Sequence, residues 1–422
     1  MYQSSLTWDH IGRTLLASHL REAEAAMKKA FFLLILLSVL SDTLQAKDRR
    51  KPSQQIQAVE LPADYSIDLQ LATEGHAKML GGDSPLLGTP LNQAGQEVFD
   101  RLIGASFASS LPYAWNLTLV NNTAVNAASN AGGRVYVHGG LARLLGSDRT
   151  LWAAVLSHEV SHTGLRHQVR LFLQARYIQE QIRYYRLRAA YGDNSANWVV
   201  LGLQIAGPIA LRKLARDQEH EADREGMMMM ARAGYHPDAV FALHHKLRIL
   251  EGEQSKFGAF FSNHPRWATR DQRSARAYAS ALEEYNRLWP DPALSPGGPP
   301  PVVAFLGEPV VRENKQAKTA EVAVPLYCRN TVEPLTLVLH LTRKNQRVPS
   351  SAPAFSNSNG NLEIRQSSPC LDKDSAAPAL LGVPGTALDG KARKVKGQIA
   401  VVGPNGSVLE MSKGFDLRVP KP

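Results

Sequence analysis

Two histidines and a glutamate stand together in His158-Glu159-Val160-Ser161-His162. On a helix, positions i and i+4 lie one turn apart on one face, so both imidazoles can aim at a single point. Zinc accepts imidazole nitrogen at about 2.0–2.1 Å, and a one-turn separation suits chelation of one ion. Glu159 follows the first of the two histidines and falls beside that point rather than on it. A carboxylate so placed can take a proton from attacking water. A buried helix whose histidines are satisfied by hydrogen bonds is the plainer account of the same five residues.

Downstream, Glu219 and Asp223 repeat the i, i+4 spacing. Glu219 can complete a set of three ligands and leave a fourth position open, as a catalytic site requires. Asp223 can bond the far nitrogen of a ligand histidine and fix its tautomer. An ordinary charged helix face is the alternative for this pair. His220 is adjacent to Glu219 and points elsewhere, and His167, His244 and His245 are likewise read as non-ligands. The run Met227-Met228-Met229-Met230 reads as flexible core packing rather than a copper site.

Together these strings resemble the M48 class of zinc metallopeptidases, in particular its soluble periplasmic branch. The likeness extends to Asn126-Ala127, Gly132-Gly133-Arg134-Val135-Tyr136-Val137, Gly140-Leu141, Arg166-His167, Ala231-Arg232-Ala233-Gly234-Tyr235, and Asn263-His264-Pro265 with Arg270. It covers roughly residues 95–285. The resemblance implies a mainly helical, zincin-like domain with a small sheet, holding one zinc ion per chain. It implies hydrolysis of peptide bonds in unfolded or mis-assembled cell-envelope proteins, a quality-control role. The alternative within the same resemblance is a chaperone or assembly factor that holds clients in a latent cleft. His264, held by the proline after it, can stabilise a developing oxyanion or occupy the open ligand position. Arg270 can orient His264, a carboxylate or the substrate carbonyl. The strand through Val135, Tyr136 and Val137 is the one implied to pair with an extended substrate, with a plain core strand as the other reading.

These side chains need a scaffold. Ser147-Asp148 offers an N-cap before Leu151, Trp152, Val155 and Leu156, which repeat at helical spacing. This spacing predicts a helix that runs on through Arg166-His167 towards Leu171-Phe172. Residues 115–120 alternate and end in Asn121-Asn122, a strand into a turn, and residues 134–138 form a second strand. Residues 197–208 are apolar but broken by Gly202, Gly207 and Pro208, too short and interrupted to cross a membrane. They read as a hydrophobic hairpin packed on the core, or as a lid or a surface that touches membrane. Arg170, Arg176, Arg183, Arg186 and Arg188 make this insertion basic, either a solvated face or a contact for anionic lipid. Residues 238–250 predict a further helix.

Upstream, Met27-Lys28-Lys29 precedes an apolar core at 30–40 and a small residue at Ala46. This pattern predicts a signal peptide over 27–46 and export to the periplasm, with residues 1–26 an upstream extension. A retained anchor facing the periplasm is the alternative. Residues 47–92 read as an extended arm with short helices, and residues 93–288 as the peptidase domain. Residues 289–301 are a Pro/Gly linker. Beyond it, residues 302–422 carry short strand-like runs between turn formers, which predicts a small all-β domain of the sandwich kind with an unidentified partner. The fold class is therefore α+β followed by a β-rich domain. The chain's two cysteines, Cys328 and Cys370, both fall in that last domain, a plausible disulfide in an exported protein. The net charge of +10 favours acidic surfaces in general. No nucleic-acid motif accompanies it, so nucleic-acid binding is not expected.

Overall fold

The computed structural model describes residues 59–253, 267–370, 378–388 and 394–421. It is α+β: a mainly helical domain with one small sheet, then a β-rich domain. Residues 1–58, with the predicted leader, lie outside the described residues. Contacts divide the chain into two units. Residues 181–210 belong to one, and residues 59–180 with 211–422 form the other.

In the larger unit the helical domain begins with α1 (Ser66–Leu80) and α2 (Pro90–Gly104). Thr89 caps α2, its hydroxyl accepting from the Asn92 N–H, with Pro90 in the first turn where its missing N–H costs nothing. A sheet follows, of β1 (Asn116–Val120), β2 (Ala127–Asn130) and β3 (Arg134–His138), in the order β1-β3-β2. β3 runs parallel to β1 and antiparallel to β2. The tight return from β2 to β3 uses Gly132 at φ +71°, where a Cβ would sit 2.7 Å from the Ala72 side chain. Next come α3 (Gly139–Leu145) and α4 (Arg149–Gly164). The Asp148 carboxylate caps α4, accepting from the N–H groups of Thr150 and Leu151 at 3.0 and 3.2 Å. Leu151, Trp152, Val155, Leu156 and Val160 of α4 lie in one apolar core with Val98, Phe99, Leu102, Leu119 and Val137.

The helix does not run on to Leu171-Phe172. It stops at Gly164, Arg166 takes the left-handed φ of 58°, and a new helix, α5 (His167–Ala190), starts one residue later. The reason is a buried partner far away in sequence. Arg166 donates to both Asp68 carboxylate oxygens and to the carbonyls of Pro62 and Asp64. Asp68, fully buried, also accepts from the Tyr113 hydroxyl at 2.6 Å. Burial, and then that hydrogen bond to a carboxylate, push the Tyr113 phenol far above its usual pKa. Residues 62–80, which include one of the short helices expected in the arm, are therefore fastened to the domain by this cluster.

Helix α6 (Asn194–Ala233) is 40 residues long and runs unbroken through Pro208. The expected hydrophobic hairpin packed on the core is not observed: Trp198, Leu201, Ile205 and Ile209 are all exposed. Proline forgoes one backbone hydrogen bond, and apolar helix-compatible residues on both sides carry the ladder past it. By length and composition this is the one described helix suited to crossing a membrane. After α7 (Asp238–Glu253) and α8 (Trp267–Leu288), residues 289–301 do not hang free as a linker. The Trp289 indole donates to the Ala231 carbonyl, and the Gly297 N–H to that of Gly234.

The β domain places β4 (Val303–Leu306), β5 (Val310–Asn314), β6 (Thr319–Val324), β7 (Leu326–Arg329), β8 (Leu335–Arg343) and β9 (Gln346–Arg347) before β10 (Glu363–Ser368), β11 (Ala379–Pro384), β12 (Lys394–Val402), β13 (Val408–Met411) and β14 (Phe415–Arg418). The main sheet has the order β10-β8-β12-β13, and β14 also pairs with β12; a second sheet has the order β11-β6-β5. Alternate residues of both, among them Leu337, Leu339, Ile399, Val322 and Leu381, meet in one core. Cys328 and Cys370 are joined, with Cα atoms 5.6 Å apart across 42 residues. Arg329 reaches Asp238 at the start of α7 and lies over the Tyr278 ring at 4.4 Å, tying the β domain to the helical one.

Two stability outcomes follow. Asp68→Ala leaves a largely buried guanidinium without its carboxylate, so urea unfolding should lose about 3–5 kcal/mol, with the midpoint falling and the slope unchanged. Replacing Cys328 and Cys370 by serine releases a 42-residue loop and should destabilise the β-domain transition by about 4 kcal/mol.

Candidate metal centre

Helices α4 and α6 supply the site. His158 and His162 stand one turn apart on α4, and Glu219 projects from α6. The His158 and His162 Nε2 atoms lie 3.0 Å apart. Glu219 places one carboxylate oxygen 3.3 Å from His162 Nε2 and the other 3.6 Å from His158 Nε2. The backbones come close because α6 has a glycine at the crossing: a Cβ on Gly226 would lie 3.3 Å from the Ser157–His158 peptide.

Each imidazole is held from behind. His158 Nδ1 meets the Asp223 carboxylate at 3.0 Å, which leaves Nε2 as the lone-pair atom facing the site. His162 Nδ1 lies 2.9 Å from His167 Nδ1, and His167 Nε2 lies 3.2 Å from Glu221. Arg170 donates to the same Glu221 oxygen at 3.0 Å. With Nε2 of His162 kept as a lone pair, the network assigns its proton to Nδ1, donated to His167, whose own proton goes to Glu221. That assignment needs neutral rings. Burial, ahead of its charged neighbours, pushes His167 down to about 2, and burial lowers His162 as well.

The sequence-predicted residues separate clearly. His158, His162, Glu219 and Asp223 come together, with Glu159 buried on the same helix. Val135, Tyr136 and Val137 do not form an open strand for substrate. They lie in β3, the middle strand, fully buried, with its hydrogen-bonding edges taken by β1 and β2. A backbone already paired on both sides has no N–H or C=O left for a third strand. His264 lies outside the described residues, and of Arg270 only the backbone, near the start of α8, is described. His220, His244 and His245 are not in the cluster. His167 is not a ligand either; it orients His162, a role the sequence pattern does not display. The signal was the left-handed break before it, which no local pattern displays.

Tetrahedral donors at about 2.0–2.1 Å from one ion lie about 3.3–3.4 Å from each other. The observed separations of 3.0, 3.3 and 3.6 Å bracket that value, and two neutral imidazoles with one carboxylate are a suitable donor set. The residues fit a tetrahedral divalent ion. Two helices thus deliver a three-donor metal site, with the buried Glu159 on the same helix as the two histidines.

Residues 91–276 match the family model of Peptidase family M48. The chain is 29% identical over 203 residues to "Mitochondrial metalloendopeptidase OMA1" of Schizosaccharomyces pombe, covering 46% of this chain and 56% of that one. It is 29% identical over 254 residues to "Beta-barrel assembly-enhancing protease" of Yersinia pestis, covering 55% and 47%. The protein of that name from Escherichia coli is 30% identical over 176 residues, covering 39% and 34%. The chain thus spans between a third and a little over half of these relatives' length. The matched segment carries the whole site, His158, His162, Glu219 and Glu159 included.

Replacing His158 or His162 by alanine should abolish stoichiometric metal binding, read as metal per chain after dialysis. His167→Ala should instead weaken binding about 10–100-fold while leaving the circular-dichroism spectrum unchanged, as loss of an orienting partner does.

Proposed function

We propose that this chain is an exported zinc endopeptidase that cuts unfolded or mis-assembled cell-envelope proteins. The observation that carries the reading is the convergence of His158, His162 and Glu219 beside the buried Glu159. Zinc held there would supply Lewis acidity toward a scissile carbonyl and toward water. His158, His162 and Glu219 are the holding residues, and Asp223 and His167 keep the two imidazoles in the ligand tautomer. Glu159 takes the proton of attacking water and delivers it to the leaving amine, so one carboxylate is base and then acid. Relatives named for β-barrel assembly support envelope proteins as the clients, and the leader-like sequence at 27–46 supports export.

The test is cleavage of unfolded casein, and of a β-barrel outer-membrane protein presented unfolded and folded. The unmutated chain should cut casein and the unfolded barrel but spare the folded one. Glu159→Gln should retain zinc and lose about 10²–10⁴-fold in rate, and a chelator should remove activity that added zinc restores. Zinc-loaded protein that cuts none of these substrates would sink the enzymatic reading, and equal cutting of both barrel forms would sink the client assignment.

A further inference from the structure

We propose that the helical hairpin of residues 181–210 is a membrane-docking element that seats an apolar stripe among the acyl chains of a bilayer with anionic headgroups. The hairpin consists of the end of α5, the turn Tyr191-Gly192-Asp193 and the first part of α6. From Asn194 through Leu211 the chain carries no charged residue.

The apolar residues are not scattered. Taking 100° per residue, Leu201, Ile205 and Ile209 fall within about 60° of Trp198 on the α6 surface. All four are exposed, at 42, 48, 59 and 55% respectively. The buried positions, Ala196 and Gly207, fall on the opposite side. A helix of a water-soluble surface shows the reverse order, apolar side in and polar side out. Tyr184 and Leu187 on α5 are exposed as well, at 53 and 54%. An exposed apolar stripe of this kind marks a binding surface.

Charge selects the occupant. Arg183, Arg186 and Arg188 are exposed on α5, and Arg212 and Lys213 are exposed just past the uncharged run. The acidic Asp193 is already bonded to Arg188. Tyrosine, tryptophan and arginine bordering an uncharged apolar stripe is the composition of a bilayer interface, where aromatic rings sit at headgroup depth and cations meet anionic lipid. A protein groove that took the stripe would not need this cationic border. Insertion is shallow rather than spanning, because the arginines of α5 cannot follow the stripe into hydrocarbon.

The full-length chain is mixed with vesicles of phosphatidylglycerol and phosphatidylethanolamine, or of phosphatidylcholine alone, and floated on a density gradient. It should float with the anionic vesicles and far less with the neutral ones. Leu201→Glu with Ile205→Glu should lower the partition at least tenfold, and Arg183→Gln with Arg186→Gln about fivefold per arginine on anionic vesicles only. Brominated acyl chains should quench tryptophan emission in the unmutated chain but not in Trp198→Phe, a substitution that keeps the fold. Casein binding or cleavage is not needed for any of these readings. Undiminished flotation of the double-glutamate variant would place attachment elsewhere, for example in residues 27–46, and overturn the proposal. Quenching that persists in Trp198→Phe, or absence of flotation by the unmutated chain, would overturn it equally.

Discussion

The constraint on which the structure turns is the approach of two helices at one point. A carboxylate and two imidazole nitrogens within 3.0–3.6 Å of one another repel as lone pairs unless a cation is shared among them. Holding them there requires helices that cannot slide. The rest of the helical domain is arranged to that end: the Asp148 cap fixes where α4 begins, the apolar core beneath Leu151 and Val155 fixes its rotation, and Gly226 fixes how near α6 can come. Burial then lowers the pKa of His162 and so favours its neutral ring, which is the form that binds a metal.

The ring orientations depend on a feature with no chemistry of its own. Had α4 continued, His167 would sit five residues past His162, about 140° around the helix, unable to face it. The left-handed residue at Arg166 breaks the helix and turns His167 back beneath His162. A non-glycine residue in that conformation is stabilised by what its side chain gains, here a bidentate bond to the buried Asp68 and two carbonyls. One buried ion pair therefore serves twice. It anchors the segment before α2, and it shapes the turn that orients a ligand.

The apolar runs of this chain meet three different ends. Those of the helical domain close over α4, and those of the β domain close between two sheets, with a disulfide cross-link and the Arg329–Asp238 bond at their borders. The run in the first part of α6 closes over nothing described and faces outward. Its composition differs little from that of a core helix, and the difference lies in which side carries the small residues.

What the sequence determined by itself was local. The i, i+4 pairs His158/His162 and Glu219/Asp223, the Asp148 cap and the alternating strand at 115–120 depend on neighbours within a turn or a pleat, and helical and strand periods expose them. Tertiary structure decided what depends on partners far along the chain. The break at Arg166 answers to Asp68, 98 residues earlier. The central place of β3 depends on the order of three strands, so the run through Val135–Val137 reads equally as an edge or a middle strand until its neighbours are known. The outward face of α6 likewise follows from which surfaces reach it. Period reports the shape of an element, whereas burial and pairing report its company, and only the folded chain supplies that.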